Sequence, residues 1–304
     1  MAAWEAEAGR AIQLALAPST RRAYDRAASQ FREFRRAAAL KDCWPIPTAH
    51  IMQFSVYQKQ KGLGLKTIRG QLAALAFISK AQGFVDSTAD FRIRKMLEGW
   101  SRERGPRVDD RQPISPSVLK GLFGSWPAIC SSTFEAALFH AASLVAFFGA
   151  LRISELVMQS KTDFSMWALQ AGDVKIDQGQ VVLTIRRSKT DQWRKGSVIT
   201  LGQCTVHELC PVRAVRCYVR FRGLGDGPLF RHEDGSPLTK YQFWAVTSRA
   251  LAAIGLKGVK FGTHSFRIGA ASTAASMGYT PASIQRIGRW QSTAFKSYVH
   301  PLIA

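Results

Sequence analysis

The stretch GTHSFRIGAAS, residues 262–272, carries the clearest indication of both fold and chemistry in this chain. It places a histidine and an arginine, His264 and Arg267, three positions apart, which is one turn of a helix. A run of small residues follows, from Gly269 to Ser272. Histidine can transfer protons, and arginine carries a permanent positive charge. Because the residues beside them have small side chains, we expect another molecule to approach the backbone closely here.

The charge of the chain indicates the class of partner. Its 304 residues include 42 Lys and Arg against 21 Asp and Glu, which gives a formal net charge of +21, and 46% of the residues are hydrophobic. The excess is present throughout, with 18 basic against 9 acidic residues up to Gly105 and 24 against 12 after it. A globular chain that is basic throughout is typical of a protein that follows an extended polyanion, so nucleic acid is the expected partner and an acidic membrane surface the second candidate.

Cysteine usage and hydropathy indicate where the chain works. Five cysteines, an odd number, and a first segment unlike a secretion signal predict an intracellular, reducing compartment. The most apolar run, residues 134–151, is nearly long enough to span a bilayer, but Glu135 and His140 interrupt it. We therefore expect a core helix there and no transmembrane segment, and of the two candidate partners we predict DNA and not a membrane.

Residues 1–105 are predicted to form a small helical domain. After Pro18, an amphipathic pattern places Tyr24, Ala28, Phe31 and Phe34 on one face, and further helical patterns end at Gly62, Gly83 and Gly105. Phe31, Phe34 and Phe54 are expected in the core. The opposite, cationic face is interpreted as facing DNA phosphates, with a merely solvated face as the alternative. The predicted DNA-binding residues are Arg21, Arg22, Arg26, Arg32, Arg35 and Arg36 on this helix, Lys66 and Arg69 on a later one, and Arg249 near the end of the chain.

Residues 106–113 are predicted to be a linker, and residues 114–304 a second domain. The linker is charged and lacks apolar periodicity. Beyond it, Ser115 is predicted to begin a helix, which the apolar helix follows. The segment VVLTIRRSKTDQWRKGSVITL, residues 181–201, has two β-rich arms around a polar turn and predicts a hairpin. Helical patterns then resume.

The second domain offers the groups that cleavage of a phosphodiester requires. Such a reaction needs cations on the non-bridging oxygens, a nucleophile, and an acid for the leaving oxygen. Arg152 and Arg267 could supply the cations, His264 and Lys189 could move protons, and Tyr298 could attack. Guanidinium groups neutralise developing charge in place of a metal ion, so no metal is expected. The spacing of Cys204, His207 and Cys210 could suit zinc, but no fourth ligand is close by, and we disfavour that interpretation.

The order of four motifs resembles that of a known family. GALRISEL, RRSKTDQ, HSFRIGAA and GRWQSTAFKSYVHP follow one another as in the catalytic domain of tyrosine recombinases, the phage-integrase type, and the resemblance covers essentially the whole chain. HSFRIGAAS and GRWQSTAFKSYVHP look most like the recombinases of DIRS-like and Ngaro-like retroelements. The resemblance implies a mainly α fold with a small β-sheet or hairpin, in which a helical core-binding domain and the catalytic domain form a C-shaped clamp on DNA.

The resemblance also implies an active site and a mechanism without a cofactor. Tyr298 would form a 3′-phosphotyrosyl bond, Lys189 would protonate the departing 5′-oxygen, and His264 would assist proton transfer at the tyrosine. The small residues after Arg267 would let their helix pack tightly. The implied catalytic residues are Arg152, Lys189, His264, Arg267 and Tyr298, with Glu155 supporting the first arginine.

One position departs from the family pattern. The family commonly has His or Trp directly after the glycine that lies ten residues before the nucleophile. In this chain that glycine is Gly288, so that Arg289 takes the position and Trp290 comes one residue later. We favour Trp290 as the donor to the phosphate and keep Arg289 as the alternative.

These expectations together predict a site-specific recombinase that cleaves and rejoins double-stranded DNA as a homotetramer on two duplexes, with a dimer on each site. Two alternatives stay open. One is a catalytically silent DNA-binding derivative, and the other is a nicking and closing enzyme like the type IB topoisomerases. A retroelement origin would place the protein in the nucleus, and a phage or bacterial origin in the cytoplasm.

Overall fold

The structure is a computed structural model that describes residues 2–105, 109–162, 167–177, 179–188, 191, 195–223 and 225–302. The chain divides into two compact units, Met1–Val108 and Asp109–Ala304. The predicted linker, residues 106–113, contains the point of division, and its residues 106–108 lie outside the described residues.

The described part of the first unit is helical. Its elements are α1 (Ala2–Leu14), α2 (Pro18–Ala37), α3 (Thr48–Gln60), α4 (Leu65–Ala81) and α5 (Phe91–Arg104), with a short 3₁₀ helix at Ser87–Ala89. Helix α1 was not predicted, because its Ala-rich sequence shows no amphipathic periodicity. The side chains of residues 4–14 are exposed, so propensity rather than packing explains this helix.

Aromatic side chains form the core of the first unit, as the amphipathic pattern predicts. Phe31, Phe34 and Phe54 are all buried, and the ring centroids of Phe31 and Phe54 are 5.1 Å apart in an edge-to-face contact. Ile51 and Ile68 complete the centre of this cluster. The face of α2 predicted to be apolar therefore packs against α3 and α4.

The interpretation of Arg35 as a phosphate-facing residue is wrong. Its side chain is buried, its guanidinium donates to the Asp42 carboxylate and to the Cys43 carbonyl oxygen, and it lies over the Phe31 ring at 4.5 Å. Arg35 lies one position after the buried Phe34, so the turn of α2 carries it inward. The remaining predicted cations of this unit are exposed or half-buried: Arg21, Arg22, Arg26, Arg32, Arg36, Lys66 and Arg69.

The described part of the second unit is mainly helical with a small antiparallel sheet, which confirms the predicted fold class. Its elements are α6 (Pro116–Ile129), α7 (Thr133–Phe148), α8 (Ile153–Leu156), β1 (Val174–Ile176), β2 (Gln180–Ile185), β3 (Ser197–Gly202), α9 (Pro211–Arg222), α10 (Lys240–Ala253), α11 (Ser265–Ser276) and α12 (Pro281–Gly288), followed by a 3₁₀ helix at Thr293–Tyr298. Strands β2 and β3 are the predicted hairpin, paired from Gln180↔Gly202 to Ile185↔Ser197. Strand β1 pairs with β2 and was not predicted, since three residues are too few to show alternation.

Helix α7 lies at the centre of the second unit. Its residues are buried without interruption from Ala141 to Phe147, and it packs against α6, α9 and α11. The side chain of Ser115 caps α6, as predicted, by accepting a hydrogen bond from the Val118 amide. Within the described ranges, no helix combines the length and the apolarity that a membrane crossing requires.

The small residues of α11 permit a close contact between backbones. A Cβ atom added to Gly269 would lie 1.9 Å from the carbonyl oxygen of Ile114, and the neighbouring Ala270, Ala271 and Ser272 are all buried. The first turn of α11, which carries Arg267, is thereby fixed against the segment that leads into α6.

Candidate active site

Arg152 precedes the four-residue helix α8, and Glu155 is the third residue of that helix. Arg152 lies directly before the helix, and its backbone N–H donates to Glu155 Oε2 at 3.0 Å. Its guanidinium donates to Glu155 Oε1 at 2.9 Å, while the Glu155 side chain is almost fully buried. The supporting carboxylate is therefore in contact with the arginine that it is predicted to hold.

The hairpin reaches this pair through Ser188, which sequence reasoning missed. The Ser188 hydroxyl accepts from the Arg152 guanidinium at 2.6 Å and donates to Glu155 Oε1 at 2.9 Å. The predicted catalytic Lys189 follows it in the chain and lies outside the described residues. The position of Ser188 next to that lysine in RRSKTDQ is the only feature of the sequence that indicates a role for it. Since serine is common in polar turns, this feature alone does not predict a site residue.

Arg267 is fully buried in the first turn of α11. Its two terminal nitrogens donate to the carbonyl oxygens of Ala150 and Gly288, and the structure gives its Nε no hydrogen-bond partner among the described residues. Ala150 has a φ of 43°, a left-handed conformation that is unusual for a residue with a side chain. The turn at Ala150 directs the Ala150 carbonyl toward Arg267 and brings Arg152, two residues later, into the same site.

Arg289 enters the site from the end of α12. It has a φ of 56°, and its guanidinium donates to Glu155 Oε2 at 2.7 Å and to the Gly149 carbonyl at 2.9 Å. The left-handed turn directs the next residue, Trp290, back over Gly288, where an added Cβ would lie 1.7 Å from the indole ring. Arg289 and Trp290 both reach the site, but at different places.

Tyr298 lies beside Trp290 and His264. The ring centroid of Tyr298 is 5.1 Å from that of Trp290 and 6.4 Å from that of His264, and 5.6 Å from the Arg267 guanidinium carbon. Ser272, another residue that sequence reasoning missed as a site residue, accepts from the His300 amide at 2.9 Å and donates to the Tyr298 carbonyl at 3.3 Å. The last small residue of the 262–272 stretch thus attaches the tyrosine segment to α11.

Positive charge dominates the electrostatics of the site. Burial would raise the pKa of Glu155, but Arg289 and Arg152 more than offset it, so this pKa is lowered and the carboxylate is charged at neutral pH. Burial, followed by Arg152 and Arg289, lowers the pKa of Arg267. Three guanidinium groups therefore meet one carboxylate among the described contacts, an imbalance that an anion would correct.

His264 is poised as a neutral base. Burial lowers its pKa, and the nearby cations Arg111, Arg267, Arg152 and Lys240 lower it further. A neutral imidazole at physiological pH can accept a proton, which is the chemistry expected of this position.

Two predictions concern residues elsewhere in the second unit. Arg249 is exposed on α10. Cys204 and Cys210 lie close together, with the Cys204 amide 3.5 Å from the Cys210 sulfur, but no group of three or more His, Cys, Asp and Glu side chains in the described ranges is arranged to hold a metal ion.

A comparison of sequences identifies a related protein. An integrase/recombinase XerD homologue from Selenomonas ruminantium is 27% identical over 243 residues, which are 74% of this chain and 65% of the relative. The chain thus spans just under two thirds of the length of the curated relative that it matches. No model of a protein family matches the chain.

Solved structures share the fold. The XerH site-specific recombinase in a post-cleavage complex with palindromic difH substrate superposes with a TM-score of 0.65 at 18% identity, over 92% of this chain and 76% of that chain. The Tn1549 transposon integrase in complex with circular intermediate DNA gives 0.64 at 17%, over 95% and 91%. A λ integrase dimer bound to a COC′ core site gives 0.60 at 16%, over 98% and 76%. The fold of this chain is that of the tyrosine recombinases, and the match to the XerD homologue supports the tyrosine recombinase/integrase family for it.

Proposed function

We propose that this protein is a site-specific DNA recombinase that cleaves and rejoins DNA strands through a 3′-phosphotyrosyl intermediate at Tyr298. The observation that carries the proposal is the convergence, within one unit, of three separate segments that carry Arg152, His264 with Arg267, and Tyr298. The XerD homologue and the DNA-bound recombinases of the same fold support the assignment.

The three arginines would hold the scissile phosphate. Arg152 is fixed by Glu155 and Ser188, Arg289 by Glu155 and Gly149, and Arg267 is buried beneath the aromatic rings. Guanidinium groups held in this way need no reorganisation as charge develops on the non-bridging oxygens. Trp290 lies against both Arg267 and Tyr298, which favours it as the donor to the phosphate, while Arg289 adds a third cation.

The chemistry is a transfer of the phosphoryl group from one oxygen to another. The Tyr298 oxygen attacks phosphorus as its proton passes to the neutral His264, and the bond from phosphorus to the 5′-oxygen breaks. The leaving oxygen takes a proton, for which we propose Lys189. A 5′-hydroxyl from the partner strand reverses these steps, so the phosphodiester energy is kept in the phosphotyrosyl bond.

The chain is proposed to act on double-stranded DNA as a homotetramer, with a dimer on each of two duplexes. The exposed cations of α2 and α4, together with Arg249 on α10, would contact phosphates. The affinity for DNA should therefore fall with salt: for each phosphate neutralised, the logarithm of the binding constant falls by about 0.9 for every tenfold rise in salt concentration. The segments HSFRIGAAS and GRWQSTAFKSYVHP resemble those of DIRS-like and Ngaro-like recombinases, which supports a retroelement origin.

Covalent trapping tests the proposal. The protein is incubated with nicked duplexes of random sequence, in which the cleaved end diffuses away, and the attached strands are isolated under denaturing conditions and sequenced. Wild type should yield a covalent band with a common sequence around the attachment point, and Tyr298→Phe should yield none while it still binds duplex. Tyr279→Phe, at a half-exposed tyrosine outside the site, is the matched control.

The outcomes separate the alternatives. A covalent band that persists in Tyr298→Phe would show that Tyr298 is not the nucleophile. Binding without any band in wild type would indicate the silent DNA-binding derivative. Attachment without sequence preference, together with relaxation of supercoiled plasmid, would indicate a nicking and closing enzyme.

A further inference from the structure

The segment at the start of the second unit, residues 109–114, runs beside the loop that leads into α11. The Gln112 amide donates to the Lys260 carbonyl at 2.8 Å, and the Ile114 amide donates to the Ser265 carbonyl at 3.0 Å. Asp110 and Lys260 form an ion pair at 2.6 Å. This segment, which belongs to the predicted linker up to residue 113, is therefore attached next to His264.

Arg111 lies between the two segments that carry His264 and Tyr298. Its side-chain Cδ is 3.4 Å from the position that a Cβ on Gly262 would take, two residues before His264. Its carbonyl oxygen is 3.0 Å from Nδ1 of His300, two residues after Tyr298. The contacts on both sides place this residue at the edge of the candidate site.

The guanidinium of Arg111 is held in one orientation. Its Nε donates to Asp109 Oδ1 at 2.8 Å and its Nη2 donates to Asp109 Oδ2 at 2.5 Å, a two-point contact that fixes the plane of the group. Only a third of its side-chain surface is exposed. An arginine held like this keeps its charge in one place rather than sampling solvent.

The charge of Arg111 acts on both reacting groups. Among the cations that lower the pKa of His264, where burial is the larger cause, Arg111 has the largest effect, ahead of Arg267. Asp109 is the main cause that raises the pKa of Arg111, and the negative charge of an ionised Tyr298 raises it further. Among the described residues, the charges of Arg111 and Arg267 thus both couple to Tyr298, and the His264 ring centroid lies 6.4 Å from that of Tyr298.

We propose that Arg111 is a positioning residue for strand cleavage, whose cation, fixed by Asp109 between the segments of His264 and Tyr298, stabilises the negative charge that forms on the Tyr298 oxygen. This inference rests on the proposed function. It assigns a role in the chemistry to a residue outside the four motifs that resemble the recombinase family.

The test compares variants of the full chain by single-turnover attachment to the nicked duplex recovered by trapping. Arg111→Gln removes the charge, and Arg111→Lys keeps it. Lys260→Gln is the matched control, because it removes one cation from an exposed ion pair with Asp110 on the same segment. Dissociation constants for the duplex and thermal midpoints are measured for each variant.

We expect Arg111→Gln to slow attachment at saturating DNA by about 10- to 10²-fold, the effect of one fixed charge near the reacting oxygen. Its dissociation constant and thermal midpoint should stay close to those of wild type. Arg111→Lys should recover most of the rate, and Lys260→Gln should attach at the wild-type rate.

Two results would overturn the inference while leaving the proposed function intact. One is attachment by Arg111→Gln at the wild-type rate. The other is an Arg111→Lys protein as slow as Arg111→Gln, since the role would then not depend on charge. If wild type attaches to no duplex, or Tyr298→Phe still attaches, the proposed function itself fails and this inference fails with it.

Discussion

The guanidinium carbon of Arg267 lies 4.3 Å from the centroid of the Trp290 ring, and that ring lies 5.1 Å from the ring of Tyr298. The indole thus contacts both the buried cation and the proposed nucleophile, whose ring centroid is itself 5.6 Å from the guanidinium carbon. A cation against an aromatic face gains about 0.5–2 kcal/mol, more when water is excluded. Trp290 therefore fixes the relative position of the two groups on which the proposed reaction depends.

Replacing Trp290 should separate stacking from hydrogen bonding. Trp290→Ala removes the aromatic face, and we expect covalent attachment to fall by about 10²-fold, because a misplacement of roughly 1 Å has that effect. Trp290→Phe keeps a ring in contact with Arg267 and should retain activity within about 10-fold if stacking is the main role. Rates of attachment to the nicked duplex decide this. An Ala variant as fast as wild type would contradict any role of this residue in the site.

The close approach at Gly269 makes a prediction about stability. Gly269→Ala would bring a methyl group to 1.9 Å from the Ile114 carbonyl oxygen, and since that atom is backbone, α11 has to shift. We expect the free energy of unfolding to fall by about 1–3 kcal/mol. Gly124→Ala is the matched control, because Gly124 lies in α6 with nothing within 4 Å, and it should raise the free energy by roughly 0.5–1 kcal/mol. Urea denaturation measures the free energy of unfolding of both variants. Equal changes in the two would show that the contact between Gly269 and Ile114 does not limit the size of the side chain.

The fold was largely predictable because its signals are local. The two β-rich arms around a polar turn in residues 181–201 predict strands β2 and β3, and Ser115 predicts the start of α6. Arg35 shows the limit of such patterns. It is one residue away from the exposed face of α2, and its burial depends on Asp42 and Cys43, which lie beyond the end of the helix.

The site was predictable in its members but not in its contacts. Arg152, Glu155, His264, Arg267 and Tyr298 follow from motifs whose order resembles a family. Ser188 and Ser272 lie within quoted stretches but have no role predicted from them, and Arg111 lies outside all of them. Each of the three contacts a partner 26 or more residues away in sequence, which a local pattern does not reveal. The sequence pattern gives Arg289 as the alternative to Trp290 for the donor to the phosphate. In the structure, the left-handed turn at Arg289 lets both residues reach the site.

Glu155 should be required for the arginines to share one site. Glu155→Gln leaves Arg152 and Arg289 with no charge between them, and breaking a buried ion pair in this way costs about 3–5 kcal/mol. We expect a lower thermal midpoint together with slower attachment. Addition of inorganic sulfate should recover part of the midpoint, because an anion can take the place of the lost charge. Glu103→Gln breaks the exposed pair with Lys59 and should change neither property. An unchanged midpoint in Glu155→Gln would show that the arginines do not need this carboxylate.

The pH dependence of stability should report the environment of His264. In the unfolded chain its pKa is near the ordinary value of about 6.5, while burial and the cations Arg111, Arg267, Arg152 and Lys240 lower it in the fold. Between the two values the unfolded chain binds a proton that the folded chain does not, so the free energy of unfolding falls as pH is lowered through the range just below 6.5. His264→Gln lacks this proton, whereas other histidines contribute equally to both proteins. The stability of wild type relative to His264→Gln, measured by urea denaturation at pH 7, 6 and 5, should therefore decrease toward pH 5. A difference that is constant or grows toward pH 5 would show that the imidazole is not held neutral, and the base in the proposed mechanism would have to be another group.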